Sequence, residues 1–456
     1  MLKRPGDSGL VVGSLLHPLA RTSAALVLLQ GVGLVCGYAL HYLLARHLLD
    51  VEQYGIYSWA TSLALVLASA ATLGTPNTLL RFLPRYRDEG DRLRLRGLLS
   101  LTVFAVAAAA AVIAGAIAAA AWLFPSVAAA LPPAFLVLLP GLPLIALTLQ
   151  IQSILRSFDR PLLGHLPNQI LRPAAVALAS LVAIVGVGTL NAFHVATIFG
   201  LVNLAIAVIF LIPLFLAVRP LAFSSIPSDT RRYWISESGP YALSMMLTLL
   251  MNRIDIVIVG LLLPPREVAL YSVGFRTASL LSFPLIAVNA VFAPRIATLH
   301  ARNDRPGLQS EVLRASVLMA LATGLFGGVI MLLTPWILGI FGPSYRAAAS
   351  LVIVLCLGRL FNAAAGPVVN VLNLTGHQRS VLRTFLWAAP CGPLLTVALV
   401  KWIGLIGAAV AATAVFVLWS VALHRAVSTQ LGITASSAIF LLKRPGRPDR
   451  GSSETS

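Results

Sequence analysis

The sequence predicts an all-α polytopic membrane protein with about twelve transmembrane helices, arranged as two six-helix bundles related by pseudo-two-fold symmetry. The first reason is composition: 58% of the 456 residues are hydrophobic and 11% are charged, whereas a soluble domain carries about 25% charged residues. The second is a succession of apolar segments of about 20 residues, the length at which a helix crosses the hydrocarbon core. The third is an internal repeat six such segments long.

Twelve segments have the length and apolar character of spanning helices. Each is continuously apolar, which favours helices over the alternating pattern of a membrane β-barrel. In chain order, the predicted spans 1 to 12 are 24–44, 56–80, 98–123, 134–155, 170–188, 193–218, 241–263, 268–294, 312–333, 348–372, 381–400 and 405–427.

The basic residues indicate the orientation of the chain. Lys and Arg close to span ends are retained preferentially in the cytoplasm, and 26 of the 33 lie in segments on the same side as the N-terminus. Arg172, at the start of span 5, is counted among these 26. The opposite loops hold only Arg46, Arg266, Arg346 and Lys401. Because the charges are dispersed over seven segments, we expect contact with anionic lipid headgroups and no nucleic-acid partner. Both termini are therefore predicted to be cytoplasmic.

The repeat divides the chain into two halves. Residues 52–58 (EQYGIYS) resemble residues 266–272 (REVALYS), and the same shift carries Arg81 onto Arg295. Six spans is an even number, so both halves enter the membrane in the same direction and their axis lies along the membrane normal. We predict an N-terminal bundle over 1–218, a cytoplasmic linker over 219–239, a C-terminal bundle over 240–430 and a disordered basic tail over 431–456.

Motifs for enzymatic chemistry are missing from the sequence. A phosphate loop ends in Gly-Lys-Ser/Thr, but none of the three lysines follows a glycine. Neither a His-Glu-x-x-His zinc motif nor a Gly-x-Ser-x-Gly nucleophile elbow is present. We therefore expect no enzyme activity, no cofactor and no metal site.

Four charged residues lie inside predicted spans away from the cytoplasmic span ends: Arg253, Asp255, Arg276 and Arg359. A charge at the bilayer centre costs roughly 2.5–3.5 kcal/mol on insertion scales, so such residues pair or face water. Arg253 and Asp255 are two positions apart and point away from each other, so Asp255 is predicted to pair with Arg276 or Arg359. A structural ion pair remains one interpretation, but three arginines against one aspartate favour a cationic cavity wall. At the repeat shift, His41 takes the place of Asp255, and both are candidate ion-coupling residues.

Uncharged polar side chains accompany these charges. Any one of them is explained by hydrogen bonding between helices, although together they suit a cavity that admits sugars. They are Asn77, Gln150, Gln152, Asn203, Asn252, Asn289, Asn362, Asn370 and Asn373.

Several local patterns resemble those of the polysaccharide transporter (Wzx-type) flippases. They are LAR at 44–46, QYGIYS at 53–58, LG at 73–74, RFLPRY at 81–86, FGPSY at 341–345 and LNLTGHQR at 372–379. The resemblance extends from about residue 21 to residue 431. These flippases belong to the multidrug/oligosaccharidyl-lipid/polysaccharide exporter superfamily, which includes multidrug and toxin extrusion transporters and the lipid II flippase.

The resemblance implies a function in the cell inner membrane. An undecaprenyl-diphosphate-linked oligosaccharide, such as an O-antigen, capsule or exopolysaccharide repeat unit, would move from the cytoplasmic to the periplasmic leaflet by alternating access. Arg253, Arg276 and Arg359 would receive the diphosphate. Besides this glycan and membrane lipids, a polysaccharide polymerase and a chain-length regulator are candidate partners.

Two other functions stay open. A multidrug or cation antiporter of the same superfamily would need a cavity that attracts cations, and three arginines against one aspartate give the wrong sign. A membrane glycan polymerase or ligase would need an outer domain, whereas the predicted outer loops are short.

Overall fold

The computed structural model describes residues 8–218 and 227–433, which form eighteen α-helices and no strand. A π-helical turn, Leu44–Leu48, extends the first helix, a second, Pro167–Leu171, joins the eighth to the ninth, and a 3₁₀-helix, Pro343–Ala348, precedes the fifteenth. The α-helices are α1 Ser8–Leu43, α2 Val51–Ala71, α3 Thr75–Asp88, α4 Arg92–Leu123, α5 Pro125–Ala130, α6 Pro133–Leu136, α7 Leu142–Ser157, α8 Pro161–Leu166, α9 Arg172–Val187, α10 Ala192–Val218, α11 Ser228–Leu262, α12 Pro265–Ser279, α13 Ser282–Ala301, α14 Arg305–Phe341, α15 Ala349–Ala365, α16 Val368–Leu374, α17 Gln378–Ile403 and α18 Leu405–Leu431.

The predicted polytopic helical fold is confirmed. Within the described residues, ten helical stretches are long and apolar enough to cross a membrane, and α11 adds an eleventh that bends by 54° between Leu249 and Arg253. The remaining predicted span, 134–155, is divided into α6 and α7 by a turn at 137–141. Pro140 lies in this turn and cannot donate the backbone hydrogen bond that would continue a helix.

The two halves repeat the same order of elements. The helical part of span 1 ends at Leu48 and α2 begins at Val51; 214 residues later, α11 ends at Leu262 and α12 begins at Pro265. In each half the second span consists of two helices, α2 with α3 and α12 with α13. The interruption in the first half contains Gly74 at φ 72°, against which the backbone of α11 packs so closely that a Cβ would lie 2.2 Å from the Ala242 nitrogen.

The predicted linker and tail lie partly outside the described residues, at 219–226 and 434–456. The described part of the linker is helical, since α11 begins at Ser228 and continues into span 7. Within it, Trp234 is buried and its Nε1 donates to Tyr86 Oη at 2.9 Å. The start of α11 is therefore packed against α3.

The two membrane faces differ in their side chains. We call the face at residues 88–92, 301–305 and 374–378 the terminal face, because the last described helix, α18, ends there at Leu431, and the other the distal face. Trp122, Trp336 and Trp402, near the distal ends of α4, α14 and α17, are 83%, 77% and 80% exposed. Tryptophan is enriched where a membrane meets water. The cytoplasmic location of the terminal face remains a prediction from its arginines.

One arginine assigned to that face by its position in the sequence is instead inside the protein. Arg172 is 8% exposed and belongs to a helical stretch that begins at Pro161, nine residues before the predicted span. Its Nη2 donates to Thr148 Oγ1 at 2.7 Å, and its guanidinium lies 5.6 Å from the Phe199 ring centre. Arg172 thus connects helices of the N-terminal half and does not mark a loop.

The halves are in close contact towards the distal face. An aromatic layer, made of Tyr38, Tyr42, Tyr54, Phe341 and Tyr345, spans the interface, with centroid distances of 5.3 Å for Tyr38–Phe341 and 6.2 Å for Tyr54–Tyr345. This layer closes the space between the halves on the distal side.

Next to this layer, α2 packs closely against the C-terminal half at two glycines. A Cβ on Gly55 would lie 1.8 Å from the Pro265 carbonyl oxygen, and one on Gly260 would lie 1.8 Å from the Trp59 ring. Trp59 Nε1 donates to the Val257 carbonyl oxygen at 3.0 Å. The absence of a side chain at both glycines is therefore what allows the distal contact.

Candidate functional site

A cavity of 230 Å³ lies between the halves and contains three of the four in-span charges. Arg253, Asp255 and Arg276 line it from the C-terminal half, and Gly33 and Gly37 of α1 line it from the N-terminal half. At 1.5 Å per residue, Arg253 is about 14 Å from the distal end of α11 and Arg276 about 17 Å from the start of α12. The hydrocarbon core is about 30 Å thick, so both arginines lie near its middle.

Among the described residues, neither arginine of this cavity forms an ion pair with an acid. Arg253 is exposed to the cavity, and no ion pair or hydrogen bond joins it to another described side chain. Arg276 Nε is buried without a hydrogen-bond partner in the described part of the chain. Guanidinium groups that are removed from bulk water and lack a carboxylate require water or an anionic ligand.

Asp255 has a different partner from the predicted one. Its side chain is 9% exposed and accepts hydrogen bonds from Tyr271 Oη at 2.5 Å and from the Ile256 amide at 2.9 Å. The predicted pairing with Arg276 or Arg359 was wrong, because α12 places a tyrosine rather than an arginine against this position of α11. The carboxylate is held by hydrogen bonds, and the arginine charges remain in excess.

Arg359 faces a neighbouring cavity instead of this one. Its guanidinium donates to Ser282 Oγ at 2.8 Å and to Ser279 Oγ at 3.0 Å. It lies 5.5 Å from the Phe275 ring centre and 5.6 Å from that of Phe416. Because Ser279 also lines the cavity of Arg253 and Arg276, Arg359 is located between the two cavities.

This second cavity, which we call the C-half chamber, has a volume of 680 Å³. It extends from Arg359 to Asn373 and Gln378 at the terminal face, so it connects the middle of the membrane with that face. One wall carries Phe416, Trp419 and Phe385 in a row. Sequence inspection missed these rings, since an aromatic residue in an apolar span has the same signature whether it faces lipid or a cavity.

A third cavity of 300 Å³ continues from the first towards the N-terminal half. Gly33 and Ser279 line both, and Gln30, Asn168 and Gln169 face the third one. Asn168 and Gln169 belong to the π-helical turn Pro167–Leu171, a distortion that is frequent at functional sites. The two cavities therefore adjoin, and together they reach from Arg253 to this turn.

His41 has a buried position near the aromatic layer. It is 8% exposed, its Nδ1 lies 3.2 Å from Tyr54 Oη, and its ring packs edge-on against that of Tyr54. It does not line the cavities described above. A role for His41 in ion coupling stays a prediction.

Five of the nine amides that were predicted as a group fall into two sets, and the side chain of Asn252 lies outside the described part of the structure. Asn77, Asn362 and Asn373 line the C-half chamber. Gln150 and Asn203 are fully buried in the N-terminal half, where Gln150 Oε1 accepts from Thr75 and Asn203 Oδ1 accepts from Thr148. Only the structure separates amides that face the cavity from those that connect helices.

Two helical bundles with a charged cavity between them at mid-membrane depth are an arrangement typical of membrane transporters. Residues 19–300 match the family model described as "Polysaccharide biosynthesis protein", and residues 240–398 match the MatE model. The chain belongs to the polysaccharide biosynthesis protein family, within the superfamily that also contains the MATE transporters and lipid flippases. The resemblance noted in the sequence is thereby confirmed, and so is the expectation that the protein is not an enzyme.

Solved structures share the fold at low sequence identity. An inward-facing multidrug resistance MATE transporter of the MOP superfamily aligns with a TM-score of 0.71 at 14% identity, covering 89% of this chain and 94% of its own. The lipid II flippase MurJ in an inward closed conformation gives 0.67 at 12%, covering 88% and 87%. An outward-facing MATE transporter gives 0.59 at 15%, covering 91% and 95%. The search of curated proteins found no match to this chain.

Proposed function

We propose that this protein is a flippase that moves a polyprenyl-diphosphate-linked oligosaccharide across the inner membrane, from the cytoplasmic to the periplasmic leaflet, by alternating access. The observation that carries the proposal is the pair Arg253 and Arg276, which face the cavity between the halves without acidic partners. A cavity with this charge favours an anionic ligand. The family match supplies the glycan part of the proposal.

Arginine suits the diphosphate for a geometric reason. Its planar guanidinium donates two parallel hydrogen bonds to phosphate oxygens and stays charged at any physiological pH. A diphosphate group cannot cross hydrocarbon alone, because removing its charges from water without compensation has a very large cost. The cavity would supply that compensation while the polyprenyl chain stays in lipid.

Alternating access is supported by the asymmetry of the interface. The aromatic layer closes the distal side, whereas the C-half chamber extends to the terminal face. A substrate would therefore enter from the terminal face, which we assign to the cytoplasm. Its release would require the distal contact to separate.

The test is depletion of the protein in the organism that encodes it. We expect the lipid-linked oligosaccharide to accumulate in the cytoplasmic leaflet, measured by its protection from an externally added glycosidase in intact spheroplasts. Normal glycan export in depleted cells that become sensitive to cationic drugs would instead favour the alternative function, a multidrug antiporter.

Energy for transport is proposed to come from an ion gradient through Asp255, the acid that lines the cavity. Replacing Asp255 with Asn keeps the shape but removes the charge, so we expect transport that no longer responds to a proton or sodium gradient. Tyr271→Phe is the control, because it removes the hydrogen bond at 2.5 Å but keeps the carboxylate. If Asp255→Asn transports at the wild-type rate with unchanged ion dependence, Asp255 has a structural role only.

A further inference from the structure

The C-half chamber differs chemically from the neighbouring cavity that Arg253 and Arg276 line, which we call the arginine cavity. Arg359 is its single charged lining residue among those described, and it lies at the inner end. The remaining polar groups are amides and hydroxyls. An acidic or basic ligand placed beyond Arg359 would find no opposite charge in this chamber, whereas an uncharged polar ligand would find hydrogen-bonding partners.

Three amides in the chamber have free hydrogen-bonding capacity. The side chains of Asn77, Asn373 and Gln378 are exposed to the chamber, and none is hydrogen-bonded to another described residue. Asn362, by contrast, already donates to Ser420 Oγ at 3.2 Å. Each free amide offers both a donor and an acceptor, which matches a ligand rich in hydroxyl groups.

The aromatic wall provides a complementary apolar surface. The Arg359 guanidinium lies 5.6 Å from the Phe416 ring centre. The ring centres of Phe416 and Trp419 are 5.9 Å apart, and those of Trp419 and Phe385 are 5.7 Å apart. A pyranose ring has apolar C–H faces and polar edges, so it can pack on such rings while its hydroxyls contact the amides. The row leads away from the proposed diphosphate site.

We propose that the C-half chamber binds an uncharged sugar, the one attached directly to the diphosphate, between the Phe416–Trp419–Phe385 wall and the amides of Asn77, Asn373 and Gln378. This assignment rests on the proposed flippase function. Arg359 would contact the diphosphate from the chamber side, because its donors reach Ser279 at the edge of the arginine cavity. The chamber would then select the substrate by its first sugar.

The experiment measures binding of three probes to the full-length protein in lipid nanodiscs. They are a short-chain polyprenyl diphosphate without sugar, the same lipid with N-acetylglucosamine, and the same lipid with glucuronic acid. We expect the neutral sugar to tighten binding about 10-fold over the sugar-free lipid, as expected for one or two net hydrogen bonds with ring packing. The acidic sugar is expected to give no such gain.

Variants assign this gain to the chamber. The double variant Asn373→Ala/Gln378→Ala and the single variant Trp419→Ala should each lose the gain from the neutral sugar while binding the sugar-free lipid as the wild type does. Trp387→Ala is the matched control, since Trp387 is 45% exposed and does not line the chamber. It should leave all three affinities unchanged.

The outcomes separate this inference from the function on which it rests. Equal binding of the neutral-sugar and sugar-free lipids by the wild type would overturn the chamber assignment and leave the flippase proposal intact. A parallel loss for both lipids in the chamber variants would also overturn it. If the wild type binds none of the three lipids, both proposals are wrong.

Discussion

Replacing Arg253 or Arg276 with alanine is expected to reduce transport about 100-fold, the equivalent of losing one or two charge-assisted hydrogen bonds to phosphate. Lysine at either position should retain part of the activity, because the charge survives while the two-point geometry is lost. Glutamate should abolish transport, since it adds repulsion against the diphosphate. The measurement is surface glycan per molecule of protein in the membrane.

Arg172→Ala is the control for the alanine variants at Arg253 and Arg276. Arg172 is also an in-membrane arginine, but it donates to Thr148 and packs on Phe199 inside the N-terminal half. We expect its loss to lower the amount of folded protein, because Thr148 loses a buried hydrogen-bond donor. Wild-type glycan from normally abundant alanine variants at both Arg253 and Arg276 would contradict the role given to them.

Enlarging Gly55 to alanine is expected to give the second large effect, a loss of transport of more than about 10-fold with normal protein abundance. A Cβ at position 55 would lie 1.8 Å from the Pro265 carbonyl oxygen, and a backbone atom cannot move aside as a flexible side chain can. The state that is closed on the distal side would be destabilised relative to one in which the halves have separated there. A carrier biased this strongly to one state cannot complete its cycle.

The same shift, from the distally closed state to one open on the distal side, should be measurable in the absence of substrate. Ser62 lines the arginine cavity, so a Ser62→Cys substitution in a protein without the native cysteines provides a labelling site there. With Gly55→Ala added, this cysteine should react faster with a membrane-impermeant thiol reagent applied from the distal side than it does with Gly55 present. Gly115→Ala is the matched control, because a Cβ there meets no atom within 4 Å. Unchanged labelling and transport in Gly55→Ala would contradict the claim that this close contact stabilises the distally closed state.

The sequence alone supports the membrane fold and the organisation in two halves, because both depend on patterns along the chain and not on contacts between distant residues. Apolar length predicts spans, and the shift that relates residues 52–58 to 266–272 recurs at the boundaries of α2 and α12. The division of span 134–155 was not predicted, since proline inside membrane helices is often tolerated. Arg172 was misplaced because the start of a span is the least certain feature of an apolar pattern.

The candidate site was predictable only in part. Charges in apolar spans pointed to Arg253, Arg276, Asp255 and Arg359, and the first three share a cavity. Which partner each side chain takes depends on helix packing, so the Tyr271–Asp255 hydrogen bond was not foreseen. The chamber wall was missed for the same reason, since Trp419 belongs to a cavity only through the positions of α17 and α18.

The most direct test of the account is lipid translocation by the purified protein in proteoliposomes. A fluorescent short-chain polyprenyl diphosphate carrying a neutral sugar is placed in one leaflet, and its appearance in the other is followed with a membrane-impermeant quencher. Wild-type protein is expected to move the lipid at least about 100 times faster than the Arg253→Ala/Arg276→Ala double variant, given the strength of charge-assisted hydrogen bonds. Movement no faster than in protein-free vesicles, or equally fast in the double variant, would contradict the central claim.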